Sequence, residues 1–306
     1  MTIFYLALAI ISGLCMSLQS PTNATLSRHV GNLQATTISF GGGAICLAVL
    51  TFIIGTGDLS LLGEASWWQF FGGVYGVCIV LAITFAIPRL GAALTSTILM
   101  LGQISTGTVL DTFGFMELET VPLAPGRIIG CFIVLIGIIL VYIGKKKQET
   151  GRNKEYNKQT AVVIICIFLA GIAGALQSPT NTALSRHIGS IESSFICFVV
   201  GFLFILVITL IANKGHFGTV TNKGAEWWML LGGVYGAAIV FINLISIPHL
   251  GSAFLLIAIT LGQLTGGMLV DSFGLLRTAK IKMNSWRYTG MAVIAIGVII
   301  VAITKM

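Results

Sequence analysis

Gln19 and Asn23 stand four residues apart inside an apolar stretch, and the same pair returns as Gln177 and Asn181. At that spacing both amides fall on one helix face. Pro21 or Pro179 between them removes a hydrogen bond to the carbonyl of Ser17 or Ala175, which predicts a kink and a freed acceptor. Each amide both donates and accepts, so the group could hold a polar solute at a broken transporter helix. The bland alternative is amide hydrogen bonding between helices.

Gln103 and Asp111 lie on one stripe of a later apolar segment, as do Gln263 and Asp271. Either stripe could line a polar pathway or serve close helix packing. Asp111 and Asp271 are the repeat-matched carboxylates near the membrane boundary. Asp111 shares its side with Arg127 and Arg186, and Asp271 shares the other side with Arg28 and Arg287. These could be alternating gates, with Asp111 approaching Arg186 or Asp271 approaching Arg28 when that side closes. They could instead be static pairs with the arginine that opens the next helix, Arg127 or Arg287.

Gly130, Gly137 and Gly144 recur every seven residues, as do Gly290 and Gly297. Small residues at that spacing let helices approach closely, which predicts packing between the halves or between subunits. Gly72 with Gly76, and Gly232 with Gly236, belong to the same packing class. Trp67, Trp68, Trp227 and Trp228 stand at segment starts and predict an interfacial belt. The four histidines lie at segment ends or in loops, no HExxH occurs, and the six cysteines form no CxxC. No metal, cofactor or catalytic group is expected.

The elements that position these residues follow from composition. The 306 residues are 56% hydrophobic and 9% charged, with mean hydropathy +0.98. Apolar runs of about 20 residues can each cross a hydrocarbon core as a helix, and they lack the alternation of barrel strands. The expected class is an all-α polytopic membrane protein. Its ten helices are expected near 3–27, 33–55, 67–87, 91–111, 126–144, 160–185, 191–212, 226–247, 251–271 and 287–304. The first of these recurs in mid-chain and lacks a basic leader region, so it reads as a mature helix.

Self-comparison shows that the chain is one unit written twice. Leu18 to Asn23 returns as Leu176 to Asn181, Gly72 to Gly76 as Gly232 to Gly236, and Asp111 to Gly114 as Asp271 to Gly274, with one Thr to Ser change. The expected organisation is a repeat at 1–144, a basic cytoplasmic linker at 145–159 and a second repeat at 160–306. Five spans per unit would turn the second unit upside down, giving inverted repeats. On that topology 14 Lys and Arg fall on one side and 3 on the other, and the positive-inside rule predicts both termini outside. The halves differ where Ile83 becomes Asn243, Arg89 becomes His249, and Thr95-Ser96-Thr97 becomes Leu255-Leu256-Ile257. Those positions could shape an asymmetric site.

The Gln-x-x-x-Asn of the first helix, the Trp-Trp and Gly-Gly-Val-Tyr-Gly of the third, and the Gly-Gln followed by Asp-x-Phe-Gly of the fourth resemble the YdcZ-type inner-membrane exporters of the drug/metabolite transporter superfamily. The chain resembles a fused, double-length member. The resemblance implies a multi-pass protein of the bacterial cytoplasmic membrane that exports a small metabolite or drug-like solute. Neither first helix has the glutamate that small multidrug-resistance relatives use for proton and cation, which favours a neutral or anionic solute. The expected function is a secondary active transporter working by alternating access, not an enzyme. Its expected partners are the lipid bilayer, the solute and a coupling ion, with no nucleic acid. The fused halves suggest a monomer, with a dimer as the alternative. An antiparallel ion channel and an intramembrane enzyme are the competing classes.

Overall fold

The computed structural model describes residues 2–90, 92–118, 120, 124–146, 158–213, 226–277, 280 and 284–305. Within them the helices are α1 (Thr2–Val30), α2 (Asn32–Ile54), α3 (Gly72–Leu90), α4 (Ala92–Phe113), α5 (Pro125–Lys146), α6 (Lys158–Ile188), α7 (Ser190–Ala212), α8 (Gly232–Leu250), α9 (Ser252–Phe273) and α10 (Ser285–Lys305). The described residues form no strand. Among the described residues six segments are long and apolar enough to cross a membrane: Thr2–Val30, Asn32–Ile54, Trp67–Ala86, Ala161–Ile188, Ser190–Ala212 and Trp227–Leu250. Large apolar side chains such as Phe52, Ile3 and Ile211 point outward, fully or largely exposed, as suits a molecule whose solvent is lipid.

Several boundaries depart from the sequence reading. The expected helices at 67–87 and 226–247 begin with the 3-10 turns Trp67–Phe71 and Trp227–Leu231, and the α-helix proper starts at Gly72 and Gly232. Trp67 and Trp227 are exposed at those starts. α1 and α6 run on as helices through Pro21 and Pro179, the two positions where a kink is expected. Beside them Thr22 donates to the Leu18 carbonyl and Thr180 to the Leu176 carbonyl, each at 2.8 Å. Hydroxyls of this kind help a membrane helix to tolerate proline.

Tight turns join α1 to α2 and α6 to α7 through single glycines, Gly31 at φ +86° and Gly189 at φ +96°. A side chain would be strained there. The expected linker, 145–159, lies mostly outside the described residues.

The two halves of the chain are interleaved. α1 lies along α8 and α9, α6 along α3 and α4, α2 along α7 and α8, and α5 along α10. Glycine makes several of these crossings possible. A Cβ on Gly137 would stand 2.8 Å from the Gly290 carbonyl oxygen, one on Gly290 2.7 Å from that of Gly137, and one on Gly297 2.9 Å from that of Gly130. At Gly144 the carbonyl accepts from Asn284 Nδ2 at 2.6 Å. α5 and α10 therefore pack as a pair across the halves. Phe40, Leu47 and Val77 of the first half share one core with Cys197, Phe198, Ile205, Ala237 and Val240 of the second.

Candidate functional site

Each first-helix amide reaches the start of the third helix in the other half. Gln177 Nε2 donates to the Gly72 carbonyl at 3.1 Å, and Gln19 Nε2 donates to the Gly232 carbonyl at 3.3 Å. Asn181 Oδ1 lies 1.8 Å from where a Cβ on Gly72 would stand, and Asn23 Oδ1 lies 1.9 Å from the same point on Gly232. Neither Oδ1 has a conventional donor. Each instead abuts a glycine Cα, a weak C–H contact. Gly76 and Gly236 complete the seats, because a Cβ there would stand 2.7 Å from Gln177 Nε2 and 2.6 Å from Gln19 Nε2.

Gly72, Gly76, Gly232 and Gly236, expected as helix-packing residues, stand at contacts between helices. They receive amide side chains rather than a neighbouring backbone. The close backbone approach belongs to the next residues: a Cβ on Gly73 would stand 2.1 Å from the Cys197 carbonyl oxygen, and one on Gly233 2.2 Å from that of Ser39. The doubled glycine in each copy was the signal, since one residue makes room for an amide and the other for a helix.

Between the two amide seats lies a cavity of about 70 Å³. Gln19, Gln177, Gln103, Ser178 and Asn243 provide its polar lining, and Phe40 and Phe198 belong to its apolar wall. Among the described residues no charged side chain lines it. Gln263 does not reach it, although Gln263 is the repeat counterpart of Gln103. Gln103 lies against Gly174, where a Cβ would stand 2.6 Å from its Nε2. The position matching Gly174 in the first helix is Met16, a large side chain that itself lines the cavity. Gln263 is left buried with its Oε1 unpartnered.

A second asymmetry involves two linked exchanges. Ser12 donates to Asn243 Oδ1 at 2.6 Å. Their repeat counterparts are Ala170 and Ile83, which sit in one apolar cluster. A polar pair in one arrangement thus replaces an apolar pair in the other. Sequence comparison singled out Asn243 and missed Ser12, although the matched Ser-to-Ala difference was readable. His249, a further unmatched position, stacks on Tyr5 with ring centroids 3.9 Å apart.

Of the residues expected to gate, the described side chains show only part. Arg186 pairs with Glu117, not with Asp111, its Nη1 lying 3.0 Å from Oε2 and its Nη2 2.9 Å from the Glu117 carbonyl. Asp111 and Arg287 are buried. Arg28 is exposed and has no ion pair among the described residues. The side chains of Arg127, Asp271 and Arg89 lie outside the described residues.

Glu117 has Arg277 as its repeat counterpart, a reversal of charge. Arg277 pairs with Glu226, which also accepts from Trp228 Nε1. Both matched turns hold non-glycine residues at positive φ, Met116 and Glu117 in one and Leu276 and Arg277 in the other. Such backbone costs about 1–3 kcal/mol per residue, and here it carries the two ion-pairing side chains.

Glu192 was also missed. It is buried near the start of α7 and accepts from the Gly57 amide at 2.8 Å, where the repeat counterpart is Gln34. In the same loop Asp58 accepts from the Ser60 amide at 2.9 Å, and the hydrogen bonding to Ser60 lowers its carboxyl pKa. No group of three or more His, Cys, Asp or Glu able to hold a metal occurs among the described residues.

A helical membrane molecule whose interleaved halves enclose an uncharged polar cavity belongs to the structural class of multi-pass transporters. The model of one family matches twice, over residues 4–140 and 162–300. The chain belongs to that family, DMT_YdcZ, described as "Putative inner membrane exporter, YdcZ", and carries it at double length. It is a multi-pass inner-membrane protein. It is also similar to a solved crystal structure, with TM-score 0.69 and 15% identity over 97% of this chain and 96% of that chain. At that identity the likeness speaks for the fold alone. No curated protein matches the chain.

Proposed function

We propose that the chain is a secondary active transporter that exports a small metabolite or drug-like solute by alternating access between two inverted five-helix repeats. The observation that carries this reading is the uncharged polar cavity, lined by Gln19 and Gln177 from the two first helices and by Gly76 and Gly236 from the two third helices. Two matched half-structures around one site can exchange conformations and so open it to either face. In this scheme Glu117–Arg186 fastens one face and Arg277–Glu226 the other. The asymmetry of basic residues puts the linker in the cytoplasm and both termini outside. An ion or solute gradient supplies the energy, and the fused halves make a working monomer.

The test is flux through purified protein in proteoliposomes, with solutes first selected by thermal shift and then followed by solid-supported-membrane currents. The expected result is saturable flux accelerated by solute on the opposite side. Flux that ignores opposite-side solute, and runs faster than a μs–ms conformational cycle permits, would replace this reading by a channel.

A further inference from the structure

We propose that the cavity selects an uncharged solute able both to donate and to accept hydrogen bonds, such as a carboxamide or urea group on an aromatic or apolar body, and that Gln103 and Asn243 are the selecting residues. The proposal rests on reading this cavity as the solute site.

The inference follows from which amide atoms are already occupied. Gln19 and Gln177 spend their Nε2 atoms on the Gly232 and Gly72 carbonyls. That leaves each Oε1 as an acceptor, with no hydrogen bond to it among the described residues. Asn243 spends its Oδ1 on Ser12, which leaves Nδ2 as a donor. Gln103 is 6% exposed and lines the cavity, yet it makes no hydrogen bond among the described residues and offers both a donor and an acceptor. Neither atom of this amide is spent on another described residue, so both remain for a complementary solute in the cavity. The lining therefore needs a ligand with both N–H or O–H groups and a carbonyl-type oxygen.

The same lining rejects ions. Among the described residues no Asp, Glu, Lys, Arg or His lines the cavity, and an ion without a counter-charge at such a site loses far more hydration than neutral dipoles return. Phe40 and Phe198, with ring centroids 5.2 Å apart and planes at 34°, give the ligand's body an aromatic surface. The selecting pair is one-sided. Gln103 reaches the cavity because Gly174 leaves it space, whereas Met16 occupies the matching place near Gln263. The Ser12–Asn243 pair has only Ala170 and Ile83 as counterparts.

Three planar probes of nearly equal shape separate the possibilities: benzamide, its anionic analogue benzoate and its cationic analogue benzamidine. Binding to the purified full chain is measured by saturation-transfer NMR with competition, and folding by thermal unfolding of the same samples. Benzamide should bind, while the two ions show no binding at concentrations where benzamide saturates. Gln103→Met and Asn243→Ile should each weaken benzamide binding by about threefold to tenfold. Gln103→Glu should transfer the preference to benzamidine, a gain that a misfolded variant cannot mimic.

Failure of benzamide to bind, equal binding of either ion, or unchanged benzamide affinity in both neutral variants would overturn the proposal. These measurements involve no gradient. Intact binding with no flux in proteoliposomes would therefore refute the transporter reading and leave the selectivity standing.

Discussion

Arg186 grips Glu117 twice, from Nη1 to the carboxylate at 3.0 Å and from Nη2 to the backbone carbonyl at 2.9 Å. The contact ties the end of α6 to the turn after α4. Both side chains are about half exposed, at 51% and 46%, and such a pair contributes only about 0–1 kcal/mol. That is little for folding but enough to shift two nearly balanced conformations by about twofold to fivefold.

The first prediction therefore concerns access rather than stability. Glu117→Gln should leave thermal unfolding essentially unchanged. It should raise, by about twofold to fivefold, the rate at which an impermeant maleimide labels a cysteine placed at the cavity residue Val240. The six native cysteines are replaced beforehand. Exchanging the two charges, with Glu117→Arg and Arg186→Glu, should return the rate towards its starting value. An unaltered rate in Glu117→Gln would remove this pair from the gate.

At the amide seats the expected effect is steric. Gly72→Ala would put a methyl group 1.8 Å from Asn181 Oδ1, and Gly232→Ala one at 1.9 Å from Asn23 Oδ1. Overpacking of this kind costs about 1–3 kcal/mol, read as a lowered unfolding midpoint. Because the clash is with one side chain, Gly72→Ala combined with Asn181→Ala should lose less than the sum of the two single variants. Strict additivity would mean that the two residues do not meet.

Two glutamines that line the same cavity should behave oppositely. Gln177→Ala removes the hydrogen bond to Gly72 and should cost about 0.5–1.5 kcal/mol of stability. Gln103→Leu removes a buried amide that makes no hydrogen bond among the described residues and should leave stability unchanged or raised. Chemical denaturation of both variants in the same detergent decides. A large loss for Gln103→Leu would reveal a structural partner for that amide.

Reporter fusions test the proposed orientation. A periplasmic phosphatase joined after Met306 should be active, and one inserted in the 145–159 linker should be inactive. The reverse pattern would invert the protein in the membrane.

The helical class was legible because long apolar runs in so uncharged a chain leave few alternatives, and the duplication because whole motifs return in order. The identity of the contacts was less legible. Repeat matching says that Gln19 and Gln177 are equivalent, but it cannot say that each engages the other half, since that depends on how the halves interleave. Likewise Gln103 and Gln263 match by sequence, and only the neighbouring Gly174 or Met16 decides which one reaches the cavity. The gate expectation chose Asp111 because it is matched between halves. The observed partner of Arg186 is Glu117, which the second half replaces with Arg277, so a search for matched carboxylates passed over it.

Interleaving also sets a timetable for biogenesis. Gln19 and the carbonyl it engages are 213 residues apart in the chain. At a ribosomal speed of about 5–20 residues per second, Gln19 emerges roughly ten to forty seconds before its partner exists. Throughout that interval the nascent first helix holds two polar amides that the first half alone leaves without their final seats. The newborn helix must be sheltered, by the insertion machinery or by water at the interface, until the other half arrives.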